Sequence, residues 1–494
     1  MKLNHVYTGH NLEILKSYPD NSIDSVVTDS PYGLSKEPNP TALIQAWIDH
    51  GYLEQTGKGF MNKAWDAFVP QPIFWKEVFR VLKPGGYCLS FFGTRTYDWG
   101  VLAMRLAGFE VRDSILWIYG SGFPKSLDIS KAIDDKLGWE RKIKGQYQHP
   151  DGGKRKYEKH NTSKGEIPYG HNKGKKRDIT EPSTPEAIKW NGWGTNLKPA
   201  VEPIVVCRKP ISESTIADNV LKWGTGGINI DATRIGIEER TYKGSGKQKQ
   251  KLSNHEKGDT GIGYMDGNGK DIEFTVNGRF PSNIILNEES AKILDQQSGI
   301  LKSGKMDQNI TGKTGNIYGK QYDRRVTGIG DTGYASRFFY IAKPSQYERN
   351  LGCENIEAKT HGHNLTDRCK KCGGRIHQNP DLPSACKCEE PEREHLSAKG
   401  NSHPTVKPVR LMQHLVKLVT PKGGTILDPF LGSGTTAIAA KIEGFNFIGI
   451  EQDEHSVLIA NARIKNWKKY IFLDSKDRPD PVPENQTDLF TETE

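Results

Sequence analysis

The run Asp29-Ser30-Pro31-Tyr32 follows an apolar segment, 25–28, that reads as a buried strand. It therefore falls on the edge where open α/β sheets place their chemistry. Asp29 supplies a carboxylate acceptor, Pro31 fixes φ so that a backbone carbonyl can turn toward the same donor, and Tyr32 offers a flat ring. Two convergent acceptors beside a stacking face suit the exocyclic amine of an extruded nucleobase. Asp, Ser and Pro are also ordinary turn formers, so a plain turn is the competing reading.

A second constellation lies 400 residues on. Asp428-Pro429-Phe430-Leu431-Gly432-Ser433-Gly434-Thr435-Thr436 joins a strand (425–427) to a helix (435–442). Gly432 and Gly434 let backbone approach a ligand at a helix N-terminus, where free N–H groups point outward. No Gly-Lys-Ser/Thr follows and the third glycine of the dinucleotide fingerprint is missing, so a phosphate cradle is not implied. The next strand, 445–450, ends at Glu451, placed to accept from ribose hydroxyls. A nucleoside without pyrophosphate is the implied ligand, and S-adenosylmethionine fits.

Together these motifs resemble the amino-methyltransferase family of DNA, with Asp29-Ser30-Pro31-Tyr32-Gly33-Leu34 matching its catalytic D-P-P-Y and 428–435 its cofactor F-x-G-x-G. His403-Pro404-Thr405-Val406-Lys407-Pro408 is similar to the motif that precedes the cofactor half there. Catalytic motif first and cofactor motif last is the beta-class order, over about 1–130, 195–230 and 400–470. The resemblance implies an α/β, Rossmann-like methyltransferase fold, circularly permuted, with target recognition inserted between the halves. It implies transfer to adenine N6 or cytosine N4 of base-flipped, double-stranded DNA. Asp29, Ser30, Pro31 and Tyr32 would be catalytic. Asp428, Phe430, Gly432, Gly434, Thr435 and Glu451, with His403, Thr405 and Lys407, would hold the cofactor. Asp29 favours adenine, because the cytosine branch more often begins with Ser; Ser30-Pro31 keeps cytosine open. Ser30 departs from the family's Pro, and His10 stands where relatives often carry an acid. An inactive DNA- or clamp-binding chain is the alternative, and the order of motifs disfavours a protein or RNA amide methyltransferase. The resemblance further implies a cytoplasmic protein of a bacterium or phage, with a restriction-modification role; a homodimer is left open.

Five of the seven cysteines fall between Cys353 and Cys388. The spacing Cys369-x2-Cys372-x13-Cys386-x-Cys388 suits a structural, four-coordinate Zn2+, against the alternative of reduced surface thiols. The segment Gln486-Thr487-Asp488-Leu489-Phe490 resembles the bacterial sliding-clamp docking peptide, in which Gln486, Asp488, Leu489 and Phe490 would make the contacts; an inert terminus is its competitor.

The elements that must carry these residues read as alternating short strands and helices over 1–130, with a helix (73–82) stopped by Pro84-Gly85-Gly86. We divide the chain into a catalytic half (1–130), a basic insertion and recognition region with a return strand near 201–207 (131–345), a zinc module (346–398), a cofactor half (399–473) and an acidic tail (474–494). In 241–335 only 280–286, with 338–341 just beyond it, looks like strand. Residues 140–178 hold twelve Lys/Arg against five acids, a solvated run or a loop for phosphate backbone. The net charge is +9, but the tail contributes −5, leaving +14 on the rest, a balance that permits a polyanionic partner. Mean hydropathy is −0.67, and no apolar run approaches the roughly 20 residues of a membrane span.

Overall fold

The computed structural model describes residues 1–35, 37–54, 66–120, 122, 126–147, 177–244, 272–302, 306–310, 324–328, 331–342, 346–356, 367–369, 375–376, 388, 393–394 and 400–471. Nine strands form one sheet: β1 (His5–Thr8), β2 (Ile23–Asp29), β3 (Leu82–Phe91), β4 (Glu110–Ile118), β5 (Val201–Arg208), β6 (Ile284–Asn287), β7 (Tyr340–Ala342), β8 (Thr425–Asp428) and β9 (Asn446–Glu451). Their spatial order is β1-β9-β8-β2-β3-β5-β4-β6-β7. Eight run the same way, and β5 alone is antiparallel to both of its neighbours.

Both faces of the sheet are covered, which is why β2 is buried continuously from Ile23 to Thr28 and β8 throughout, rather than at alternate positions. On one face Val27 and Ile426 pack with α4 (Val409–Val419), whose Leu411, Leu415 and Leu418 form the apolar side expected from their spacing. On the other, Val26 and Leu427 meet α2 (Pro72–Val81) and α3 (Tyr97–Leu106) through Trp75, Val78 and Met104. Each large side chain buried this way contributes about 1.5–3 kcal/mol.

Polar contacts join the two sequence-distant halves at the β2–β8 seam. Asp24 accepts from Thr425 N–H at 2.7 Å and from Lys83 Nζ at 2.6 Å, and the hydroxyls of Ser25 and Thr420 meet at 2.8 Å. Residues 1–118 and 409–451 thus build a single sheet.

Several expectations need correction. Pro84-Gly85-Gly86 does not separate α2 from the following strand: α2 ends at Val81 and β3 begins at Leu82. The three residues form a bulge inside β3, because Ile23 pairs with Leu82 but Ser25 with Tyr87. Gly85 sits there at φ +79°, against the Asn219 amide and Thr225 carbonyl, where a Cβ has no room. The strand expected at 280–286 starts only at Ile284, and Phe338 belongs to a 3-10 turn, Ala335–Phe338. The interval also holds a helix (Glu288–Ser298) capped by Asn287 and a ribbon pairing Ile235–Gly244 with Ile272–Arg279. The ends of the basic run pair as Lys142–Tyr147 with Arg177–Glu181, and its middle lies outside the described residues. Among the described residues no helix is long and apolar enough to cross a membrane.

Candidate active site

Parallel strands put the C-terminal ends of β1, β2, β8 and β9 on one edge, and the motifs follow from that. Asp29 is the last residue of β2. Its Oδ2 accepts from Lys407 Nζ at 2.7 Å, whereas its Oδ1 is buried without a hydrogen-bond partner among the described residues. An unsatisfied buried acceptor costs about 1–3 kcal/mol, so such a group in a native fold calls for an explanation. Ser30 is pinned: its hydroxyl donates to the Phe91 carbonyl at 2.8 Å and accepts from Ser90 Oγ at 3.0 Å. Proline, which the family motif has here, could make neither bond.

The turn that follows is held by side chains from elsewhere. Asp66 accepts from the N–H groups of Tyr32 and Gly33 at 3.0 and 3.1 Å, and Thr96 Oγ1 donates to the Tyr32 carbonyl. Tyr32 Oη donates to Glu202 Oε2 at 2.8 Å and accepts from Lys407 Nζ at 3.1 Å. Burial, then the Asp29 and Glu202 carboxylates, holds the Tyr32 hydroxyl well above the usual phenol range. Lys407 also lies 3.2 Å from Glu202 Oε2. Burial alone would lower the Lys407 pKa, but the two carboxylates outweigh it and raise it, so the ammonium stays charged.

The glycine turn is built differently. Gly432 (φ +54°) donates its N–H to Glu451 Oε2 at 2.8 Å, and Glu451 Oε1 accepts from Asp453 N–H at 2.8 Å. Burial raises the Glu451 pKa despite those bonds. A Cβ at Gly432 would stand 2.9 Å from the His403 ring. Asp428 is buried and raised to about 6 by desolvation, against the pull of Thr28, Thr436 and the Phe430 N–H; Thr28 Oγ1 donates to it at 2.6 Å. Below the turn lies Arg463, fully buried, which donates from Nη1 to the Ser433 carbonyl, Ser433 Oγ and Thr435 Oγ1 at 2.6–3.0 Å.

Both constellations line one cavity of about 930 Å³, large enough for a small-molecule ligand with room beside it (such sites span roughly 300–1,000 Å³). Asp29, Ser30, Pro31 and Tyr32 contribute to its wall, and so do Asp428, Phe430, Gly432, Thr435 and Glu451. His403, Thr405 and Lys407 line it as well. Two expected cofactor residues need separate treatment. Gly434 does not line the cavity; it sits at φ +83° against Ala460, so its missing side chain serves the packing of α5 (Thr435–Ile442) on α6 (Glu454–Lys465). Lys407 is bonded to Asp29 rather than to the glycine turn. Of the four cysteines, Cys372 and Cys386 lie outside the described residues, and Cys369 is described only as backbone in the strand Asp367–Cys369. Among the described residues no group of three His, Cys, Asp or Glu could hold a metal. Gln486, Asp488, Leu489 and Phe490 lie outside the described residues too.

A sequence profile of N6/N4 methyltransferases, described as DNA methylase, matches residues 23–462. The chain belongs to this DNA methylase family. Curated relatives include the type II methyltransferase M.BglI of Bacillus subtilis, 45% identical over 69 residues (14% of this chain, 20% of the relative). Another is M.ScaI of Streptomyces caespitosus, 29% identical over 140 residues (27% and 44%). The chain thus spans less than half the length of these relatives. Among solved structures, the PvuII DNA methyltransferase (cytosine-N4-specific) is 14% identical, covering 94% of this chain and 91% of that one, with a TM-score of 0.37. The M1.HpyAVI–SAM complex is 12% identical, covering 93% and 98%, with a TM-score of 0.30.

In this family member, sequence reading missed Glu202, Asp66, Thr96 and Arg463. Glu202 had a usable signal: an acid on a strand returning to the catalytic sheet. The other three act through side-chain bonds to distant backbone, for which no local pattern exists.

Proposed function

We propose that this chain transfers a methyl group from S-adenosylmethionine to the exocyclic N6 amine of adenine in double-stranded DNA, at a specific site and by base flipping, with cytosine N4 as the second reading. The observation that carries the proposal is the shared cavity, which Asp29 and the side-chain-free turn at Gly432 both line. The residues fit the donor: Glu451 has lone pairs left for ribose hydroxyls beyond its two backbone bonds, and Gly432 clears the approach to the turn.

When bound, S-adenosylmethionine supplies an electrophilic methyl on a sulfonium. The Asp29 carboxylate and the Ser30 carbonyl accept the two N–H bonds of the amine and turn its nitrogen lone pair toward that methyl. The Tyr32 ring stacks on the extruded base. The residual negative charge near Asp29 stabilises the nitrogen as it turns cationic, and the proton then leaves toward solvent. Positioning and electrostatics of this kind need no covalent enzyme intermediate.

Asp29 favours adenine, and Ser30-Pro31 keeps cytosine open. Labelled S-adenosylmethionine, mixed-sequence DNA and digestion to nucleosides decide between them: label in N6-methyladenine is expected, label in N4-methylcytosine moves the assignment, and unlabelled DNA with intact cofactor binding ends the proposal.

The same reading extends to the rest of the chain. Catalytic half before cofactor half makes the fold circularly permuted, with recognition in 131–345 and a cytoplasmic, restriction-modification setting. Cys369, Cys372, Cys386 and Cys388 hold a structural Zn2+, which elemental analysis tests at one zinc per chain; none, even after zinc is added, overturns it. The tail docks a sliding clamp through Leu489 and Phe490, and unchanged capture by purified clamp after their replacement with Ala overturns that.

A further inference from the structure

The resemblance assigns Lys407 to the cofactor, but the geometry points elsewhere: we propose that Lys407 is the positioning residue for Asp29, holding Oδ2 and so fixing the rotation of the carboxylate that meets the target amine. The inference rests on the methyl-transfer reading above and deepens it.

Lys407 is only 9% exposed at its side chain and precedes Pro408, the N-cap of α4, whose ring disfavours helical backbone at the residue before it. Its ammonium reaches three oxygens on two segments: Asp29 Oδ2 at 2.7 Å and Tyr32 Oη at 3.1 Å in the motif turn, and Glu202 Oε2 at 3.2 Å on β5. It also lies over the rings of Phe91 and Tyr32, 5.0 and 5.3 Å from their centroids. A donor so placed fixes the rotation of the Asp29 carboxylate, since a charge-assisted bond to one oxygen orients the other. The same ammonium, through Glu202, ties down the Tyr32 hydroxyl and with it the stacking ring.

Charge agrees with this role. Two carboxylates face one ammonium, leaving about one negative charge where the amine becomes cationic; a second cation would oppose the reaction and no cation would leave two half-buried carboxylates side by side. The other titratable groups around the cluster are Tyr119, beyond β4, and Asp428, at the end of β8.

The test uses the full chain with Lys407→Met, Lys407→Arg and Asp29→Asn, alone and combined. Single-turnover methyl transfer to DNA and calorimetric titration with S-adenosylmethionine are the readouts. Lys407→Met is expected to lower the transfer rate at least about a hundredfold (the scale of losing one preorganised electrostatic contact) while cofactor affinity stays within about threefold. Lys407→Arg, which keeps the charge, is expected to recover at least tenfold of that loss. In the Asp29→Asn background, Lys407→Met is expected to add less than about threefold, because groups acting as one unit are not additive. Equal losses in rate and cofactor affinity, absence of rescue by Arg, or additive losses each overturn the proposal. Should Lys407→Met fail to fold, Lys407→Arg with cofactor affinity reduced and transfer rate retained overturns it as well. Wild-type chain that transfers no methyl to any DNA overturns the underlying reading itself, a result distinct from all of these.

Discussion

The two parts of the cavity wall are secured over very different distances in the chain. Gly432 is tied to Glu451, 19 residues away, and Ser433 to Arg463, 30 residues away. Asp29 is tied to Lys407, 378 residues away, and Tyr32 to Glu202, 170 away. The glycine turn is therefore a local strand–turn–helix unit that carries its own supports. The Asp29 turn is a contact point where the N-terminal half, the antiparallel strand β5 and the segment before α4 must all have folded. A local unit can hold a ligand by backbone shape; a composite one can place charges with tighter mutual geometry, but only in the finished fold.

The sharpest way to break the comparison is Asp29→Ala. Methyl transfer should fall by about a thousandfold or more, near the upper end for one lost electrostatic contact, while S-adenosylmethionine affinity measured by calorimetry stays within threefold. Equal loss of both would show that the two walls are one unit. Gly432→Ala addresses the opposite side. With φ at +54° and a Cβ forced to 2.9 Å from the His403 ring, cofactor affinity should drop roughly tenfold, about 1.4 kcal/mol. DNA binding, measured by filter retention, should be unchanged.

Titration separates the supports by sign. His414, buried and stacked on Tyr340, is pushed down to about 4 by desolvation and then by Lys417. The unfolded chain binds that proton more readily, so this group makes stability rise between about pH 4 and 6.5. Asp428, raised to about 6 from 3.8, binds its proton more readily in the fold and makes stability fall as pH rises from about 4 to 6. Asp428→Asn should therefore steepen the gain in melting temperature across that window. An unchanged pH slope would argue against a buried, proton-binding Asp428. The smallest effect is expected for Ser30→Pro. Losing the bonds to Phe91 and Ser90 should cost about 1 kcal/mol of stability, with the transfer rate kept within threefold if the Ser30 carbonyl is what matters; a larger fall in rate would give the hydroxyl a role.

Legibility in the sequence follows the same division. β2, β8, β9 and the glycine turn are continuous segments whose apolar runs and turn residues state their structure locally, and all appear where the pattern puts them. The Asp29 motif was visible as residues, but its environment was not, because Lys407 and Glu202 reach it only through strand order and register. The Pro84-Gly85-Gly86 bulge misleads for a related reason. Turn formers normally end an element, and here the pairing of β3 with β2 and β5 absorbs them instead. Gly434 was placed with the cofactor because glycines in such motifs look alike, whereas its partner, Ala460, lies on another helix.

Strand β5 has a consequence for how this molecule could change. Because it runs opposite to β4, Ile118 pairs with Val201, so the chain leaves the sheet after Ile118 and re-enters it at Val201 through a single doorway beside Tyr32 and Glu202. Insertions of any length there lengthen a loop whose ends are already closed, at a cost that grows only logarithmically. The sheet can thus accept added length at this point without moving Asp29, Tyr32 or Glu202.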